Sequence, residues 1–262
     1  MGHGKLRKFA ENATFSCLLQ PSAEDVLVKD GSRQLTLREH PVRGRWNRNM
    51  FRREQPIVLE LGCGKGDYTI ALSEMEPQFN YIGVDIKGAR LWKGAKYATE
   101  NSLPNVAFLR TRIEFIDAFF SPGEVSEIWL TFSDPQLRGS ENSRLSSPMF
   151  LERYRHFLKT GGIIHLKTDS RFLHEYTRSV IRANGLKTLF ESTDIYGSGK
   201  DLGVITGVQT FYESMFLKMG LPITYLAFTI DHDGPYVFPS DFDEPYWREQ
   251  EGPRRTFSHQ AQ

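Results

Sequence analysis

Apolar residues in this chain alternate between short runs and stripes of helical spacing. The runs at 57–61, 80–85, 105–110, 127–132, 163–167, 186–190 and 223–230 are rich in Val, Ile, Leu and aromatics and predict seven strands. Between them, a segment starting near Gly66 and the stretches 88–100, 113–120, 148–158, 171–183 and 209–218 predict helices. In 88–100 the apolar stripe is Ala89, Trp92, Ala95 and Ala98. Ser121-Pro122-Gly123 ends the short helix at 113–120, and Lys159-Thr160-Gly161-Gly162 reads as the turn leaving 148–158. Repeated β-α units predict an α/β fold, a doubly wound and mostly parallel seven-stranded sheet. The last two strands lack a full crossover between them, which predicts one antiparallel edge strand. The pattern divides the chain into a basic extension at 1–54, a folded domain at 55–230 and a tail at 231–262. The tail is rich in Pro, Asp and aromatics and is expected to be extended or disordered.

A chain of 262 residues can bury a full core in one domain. No apolar run has the length of a membrane span, and the first residues lack the apolar core of a signal peptide. Two cysteines, Cys17 and Cys63, give no disulfide framework and no zinc pattern. The expectation is a cytoplasmic protein with no membrane and no metal, a monomer or homodimer. The net charge of +1 conceals an uneven distribution. Residues 33–53 hold Arg33, Arg38, Arg43, Arg45, Arg48, Arg52 and Arg53 against Glu39 alone, and the tail is acidic. A basic arm of this kind either meets phosphates or is a solvated surface segment.

The chemistry concentrates where strands end. Residues 57–66 read Ile-Val-Leu-Glu-Leu-Gly-Cys-Gly-Lys-Gly. Glycines at 62, 64 and 66 let backbone approach a ligand closely, and a helix beginning there turns free N–H groups on the same place. The dinucleotide fingerprint needs its third glycine one residue later, where Asp67 stands, and Glu60 would repel a pyrophosphate. Both points disfavour a nicotinamide-linked dehydrogenase. A carboxylate here suits a cationic ligand with an adenosine, and S-adenosyl-L-methionine carries both a sulfonium and an ammonium. Asp85, at the end of the next strand, has the spacing of an acid that takes ribose hydroxyls; the plainer alternative is a cap on the helix that begins near Lys87. Thr111, Arg112 and Ile113 follow the third strand and are placed to line the adenine. Asp134, Asp169 and Glu213 follow later strands and could converge with Glu60 on one face. Singly, Asp134 before a proline could be a turn residue and Asp169 a helix cap.

With these segments in view, the chain resembles the bacterial tRNA (guanine-N7-)-methyltransferases. The resemblance rests on Val58-Leu59-Glu60-Leu61-Gly62-Cys63-Gly64-Lys65-Gly66, Gly83-Val84-Asp85, Phe132-Ser133-Asp134-Pro135-Gln136, Leu166-Lys167-Thr168-Asp169 and Thr210-Phe211-Tyr212-Glu213. It implies a Rossmann-like class I methyltransferase fold and methyl transfer from S-adenosyl-L-methionine to N7 of the guanine at position 46 of the tRNA variable loop. It implies that Glu60, Asp85 and Arg112 or Thr111 bind the cofactor, beside Gly62, Gly64, Gly66 and Ile113. It further implies that Asp134 is the catalytic-site carboxylate, also near the cofactor, and that Arg138, Asp169, Thr210 and Glu213 touch the RNA.

Two departures from the family pattern stand out. Ser133 replaces the first proline of Pro-Asp-Pro, which removes a fixed φ before Asp134. The basic stretch after Asp-Pro is thin: in 136–147 only Arg138 and Arg144 are cationic, opposed by Glu141. These departures leave an alternative, a non-catalytic tRNA-binding or partner-binding protein that retains the fold.

Overall fold

The computed structural model describes residues 3–28 and 36–258. Its strands are β1 (Leu18–Leu19), β2 (Ile57–Leu61), β3 (Asn80–Asp85), β4 (Val106–Arg110), β5 (Val125–Thr131), β6 (Leu158–Thr168), β7 (Thr188–Ser192) and β8 (Thr224–Thr229). They form one sheet in the order β1-β4-β3-β2-β5-β6-β8-β7. The helices are α1 (His3–Asn12), α2 (Ala23–Val26), α3 (Asp67–Met75), α4 (Gly88–Glu100), α5 (Pro148–Arg155), α6 (Arg171–Ala183), α7 (Val204–Gly207), α8 (Phe211–Lys218) and α9 (Glu244–Ser258). Pairings among β1 to β5 are parallel, and β8 runs antiparallel to both β6 and β7. The expected α/β architecture, with a single antiparallel strand near one edge, is therefore present.

The differences have physical causes. The sheet has eight strands, not seven, because the two-residue β1 pairs with β4 and is too short to leave a periodic signal. The expected turn at 159–162 lies inside β6, where Gly161 takes φ 71°, a left-handed conformation that other residues resist. The helix before it ends earlier, at Arg155. The tail carries α9 where an extended or disordered segment was expected. Residues 113–118 wind as a 3₁₀ turn rather than an α-helix.

The chain divides into two compact units, one reaching Thr131 and including His156–Gly162, the other holding Phe132–Arg155 and the chain from Ile163. In the first, every residue of β2 and β3 is buried, as a strand covered on both faces must be. Leu91, Ala95 and Ala98 of α4 pack with Ile70 of α3 and Phe108 of β4. The basic extension is stapled to this unit. Trp46 is fully buried and its indole N–H donates to the Phe119 carbonyl at 2.9 Å. In the second unit, α6 buries Phe172, Leu173, Tyr176 and Val180 at helical spacing. Edge strand β7 leaves most of its side chains exposed.

Candidate functional site

The glycine loop grows out of the buried end of β2. Gly62, Gly64 and Gly66 take φ values of 80°, 59° and 75°, in the left-handed region where a Cβ is costly. The N–H groups of Gly62 and Cys63 both donate to the Val84 carbonyl, at 2.8 and 3.0 Å, so the loop folds over the end of β3. Asp85, at that end, is buried. Its Oδ2 accepts from the Gly64 N–H at 3.0 Å and its Oδ1 from the Lys87 N–H at 2.7 Å. One carboxylate thus ties the loop to the start of α4, and the capping reading of Asp85 is partly realised.

The three loop glycines do different work. A Cβ on Gly62 or Gly64 would meet no atom within 4 Å, so both border open space. A Cβ on Gly66 would stand 2.6 Å from the Phe108 ring. The same ring lies 2.8 Å from a Cβ on Gly83 and 2.6 Å from one on Gly94. Phe108 fills the space beneath the loop, and Gly83, Gly94 and Gly66 make room for it. Sequence reasoning missed Phe108 and Gly94, and named Gly83 only within the Gly83-Val84-Asp85 segment. The available signal was a glycine inside a strand and another inside a helix, each of which carries an entropic cost without a packing reason.

Glu60 is buried below the loop and accepts the hydroxyls of Thr69 on α3 and Thr131 at the end of β5. Burial pushes its carboxyl up to about 7, against the opposing pull of the two threonine donors. A neighbouring cation would favour its charged form. Of the residues after β4, Thr111 is buried and Ile113 half-buried. Arg112 is exposed, pairs with Glu114 at 3.0 Å and lies over the Phe115 ring at 5.6 Å. Ile86, directly after Asp85, is 53% exposed, an apolar side chain next to the strand-end acid that sequence reasoning passed over.

The second unit carries the remaining candidates. Phe132 adopts φ 49° and donates its N–H to the Lys167 carbonyl at 2.9 Å. The chain then turns at Ser133-Asp134-Pro135, where the exposed Asp134 accepts the Gln136 N–H at 2.9 Å. Asp134 is thus a turn-forming residue that retains solvent exposure. Arg138 is exposed. Arg144 is fully buried and paired with Glu244 at 2.8 Å, so of the two cations in 136–147 only Arg138 is exposed. Asp169 is not the cap of α6; Ser170 is, accepting the Leu173 N–H at 3.1 Å.

Thr210 and Glu213 form a reciprocal cap at the start of α8. The Glu213 carboxylate has no exposed surface. It accepts the Tyr196 hydroxyl at 2.7 Å and the Thr210 N–H at 3.3 Å, and it pairs with the Lys167 ammonium at 2.6 Å. In this structure the Glu213 carboxylate is engaged in these fold contacts and faces no solvent. Lys167, named in the sequence only within the Leu166-Lys167-Thr168-Asp169 segment, also donates to the carbonyls of Ile205 at 2.7 Å and Val208 at 2.9 Å.

In the basic arm, Arg43 donates to the Phe120 carbonyl at 3.0 Å and pairs with Glu39, so it anchors the extension. Arg38, Arg45, Arg48 and Arg52 are exposed. Arg33 lies outside the described residues. Among the described residues no helix is long and apolar enough to cross a membrane.

A family model described as "Putative methyltransferase" matches residues 54–226. The chain is 48% identical over 227 residues to a tRNA (guanine-N(7)-)-methyltransferase of Christiangramia forsetii, covering 86% of this chain and 97% of that one. It is 47% identical over 236 residues to the same-named protein of Bacteroides fragilis, covering 89% and 88% of the two chains. With the Bacillus subtilis protein of that name the identity is 30% over 205 residues, covering 78% and 93%. Among solved structures, the 16S rRNA methyltransferase KamB superposes with a TM-score of 0.56 at 16% identity, covering 76% of this chain and 97% of that one, which shows the shared fold.

Proposed function

The chain belongs to the tRNA (guanine-N(7)-)-methyltransferase family, and on that premise we propose that it methylates N7 of guanine 46 in the variable loop of tRNA, with S-adenosyl-L-methionine as donor. The observation that carries this reading is the close identity with enzymes of that name, extending over nearly the full length of the first of them.

The residues present fit this cofactor. Gly62 and Gly64 border open space, so their backbone leaves room for a ligand at short range. Asp85 offers a carboxylate for ribose hydroxyls beside the Gly64 amide. Ile86 offers an apolar face for the adenine, with Thr111, Arg112 and Ile113 as its further lining. Glu60 is a buried carboxylate whose charge a sulfonium or ammonium would stabilise.

When bound, S-adenosyl-L-methionine supplies a methyl group already activated by its sulfonium. N7 of guanine bears no proton and presents an in-plane lone pair, so the chain needs no general base. Its task is in-line placement and exclusion of water, worth roughly 7–11 kcal/mol of barrier at best. The guanine ring gains positive charge as the new bond forms, and we assign Asp134 to orient it and stabilise that charge. Arg138, Asp169 and Thr210 are assigned to the RNA. Glu213 acts through Thr210, whose position it holds. Arg38, Arg45, Arg48 and Arg52 are assigned to phosphates.

The test is transfer of a labelled methyl group to unmodified tRNA, with the product nucleoside identified after digestion. 7-Methylguanosine, lost when guanine 46 is replaced, supports the proposal. Cofactor binding with no transfer to any tRNA would overturn it and favour a tRNA-binding protein without catalysis.

A further inference from the structure

The acidic tail lies beyond the part of the chain that the family model matches, yet it is tightly built into the second unit. The buried Arg144 guanidinium sits 4.8 Å from the Phe172 ring centroid and 4.5 Å from that of Tyr176. Its Nη2 donates to Glu244 Oε1, at the start of α9, at 2.8 Å. Phe242 meets both rings edge-on, with centroids 5.3 Å from Phe172 and 5.4 Å from Tyr176. Further along α9 the buried Glu251 accepts the Phe172 N–H at 3.3 Å, satisfying a first-turn amide of α6. Earlier in the tail, Asn184 bonds the backbone of Val237 in both directions, at 2.9 and 2.7 Å, and Arg182 pairs with Asp241 at 3.0 Å.

These contacts join two things. One is a loop, 136–147, that begins at the Asp134 turn and carries Arg138. The other is the first turn of α6, directly after Asp169. A buried guanidinium without a carboxylate is strongly unfavourable; Glu244 is the carboxylate that bonds Arg144, and Glu141 also faces the Tyr176 side of the aromatic cage. Loss of Glu244 removes that bond and favours movement of the guanidinium toward water, with the loop that carries it.

We propose that the tail is a positioning element for the RNA site, with Glu244 on Arg144 holding the 136–147 loop in the conformation that binds tRNA. The proposal rests on the assignment of this loop to the RNA substrate. It gives a further role to a chain with few cations there: the loop gains affinity by being held in one shape rather than by charge.

The experiment compares the full chain with Glu244→Ala and Glu244→Asp. If loss of Glu244 reduces the competent loop population to about a tenth, the KM for tRNA rises about tenfold, with kcat changed by less than about twofold. The KM for S-adenosyl-L-methionine stays unchanged, and Glu244→Asp recovers part of the tRNA effect. Hydrogen exchange of the amides in 138–146 becomes faster in Glu244→Ala, while that of β3 does not. An unchanged KM for tRNA, or unchanged exchange in the loop, overturns the proposal. Should Glu244→Ala fail to fold, Glu244→Gln carries the test, since it keeps the side-chain size and removes the charge that pairs with Arg144, with the same two readouts. Exchange needs no RNA. A wild-type chain inactive on tRNA would refute the functional assignment and leave the exchange result to decide whether the tail holds the loop.

Discussion

The Lys167 Nζ lies 2.6 Å from Glu213 Oε1, and neither side chain has any exposed surface. Around this pair the second unit assembles its candidate residues. The Lys167 carbonyl receives the Phe132 N–H that opens the Asp134 turn. Its ammonium holds the backbone at Ile205 and Val208. Glu213 in turn orders Thr210. Burial pushes the Lys167 ammonium down from its ordinary value, while Glu213 opposes the shift.

Removing one partner of this pair should cost far more than removing both. Lys167→Met leaves Glu213 buried and uncompensated and is expected to destabilise the chain by about 3–5 kcal/mol. Lys167→Met with Glu213→Gln is expected to recover a large part of that loss. Urea unfolding of the two variants checks it; equal losses would show that the pair is not coupled.

The raised value of Glu60 is expected to make stability depend on pH and, through its proposed place beside the cofactor, cofactor affinity as well. Its folded value, about 7, lies above the ordinary 4.5, so the folded state binds the proton more tightly. The stabilisation is full below pH 4.5 and is lost as pH rises through 7, by roughly 3 kcal/mol at most. A bound cation favours the ionised carboxylate. S-adenosyl-L-methionine should therefore bind more tightly as pH rises through 7, with release of up to one proton. Calorimetry in buffers of different protonation enthalpy measures that release, and Glu60→Gln should abolish it.

Gly94 is a steric requirement rather than a conformational one. A Cβ there would lie 2.6 Å from the Phe108 ring and 2.9 Å from the Lys65 carbonyl. Gly94→Ala should destabilise the chain by about 1–3 kcal/mol through overpacking. Pairing it with Phe108→Leu should make the two changes less than additive. Thermal unfolding of the single and double variants decides; strict additivity would mean the ring is not the obstacle.

Asp134 separates orientation from charge. If orientation dominates, Asp134→Asn keeps part of the transfer rate, since the amide oxygen can still accept the Gln136 N–H. If its negative charge carries the step, kcat collapses while cofactor binding stays normal. Single-turnover transfer to tRNA distinguishes the two.

The chain's local pattern made much of this legible. The spans of α4 and α6 follow directly from their apolar stripes, and the strand-end positions of Glu60, Asp85, Asp134 and Asp169 follow from the β-α alternation. β1 escaped because two residues carry no period. α9 escaped because its apolar residues, Tyr246 and Trp247, adjoin prolines and acids that read as extended chain.

By itself the sequence determined the alternation of elements, the glycine loop and the acids that follow the strands. These depend on neighbours within a few residues, where φ preferences and side-chain periodicity act. Tertiary structure alone decided what each polar side chain does. Lys167 and Glu213 lie far apart in sequence, as do Arg144 and Glu244, and Phe108 and its glycines. Burial, and hence the partner each charge must find, is set by which distant segments pack together. A motif in one segment could name Glu213 and Arg144 as functional candidates, but only the packed chain shows that both are buried and ion-paired within the second unit.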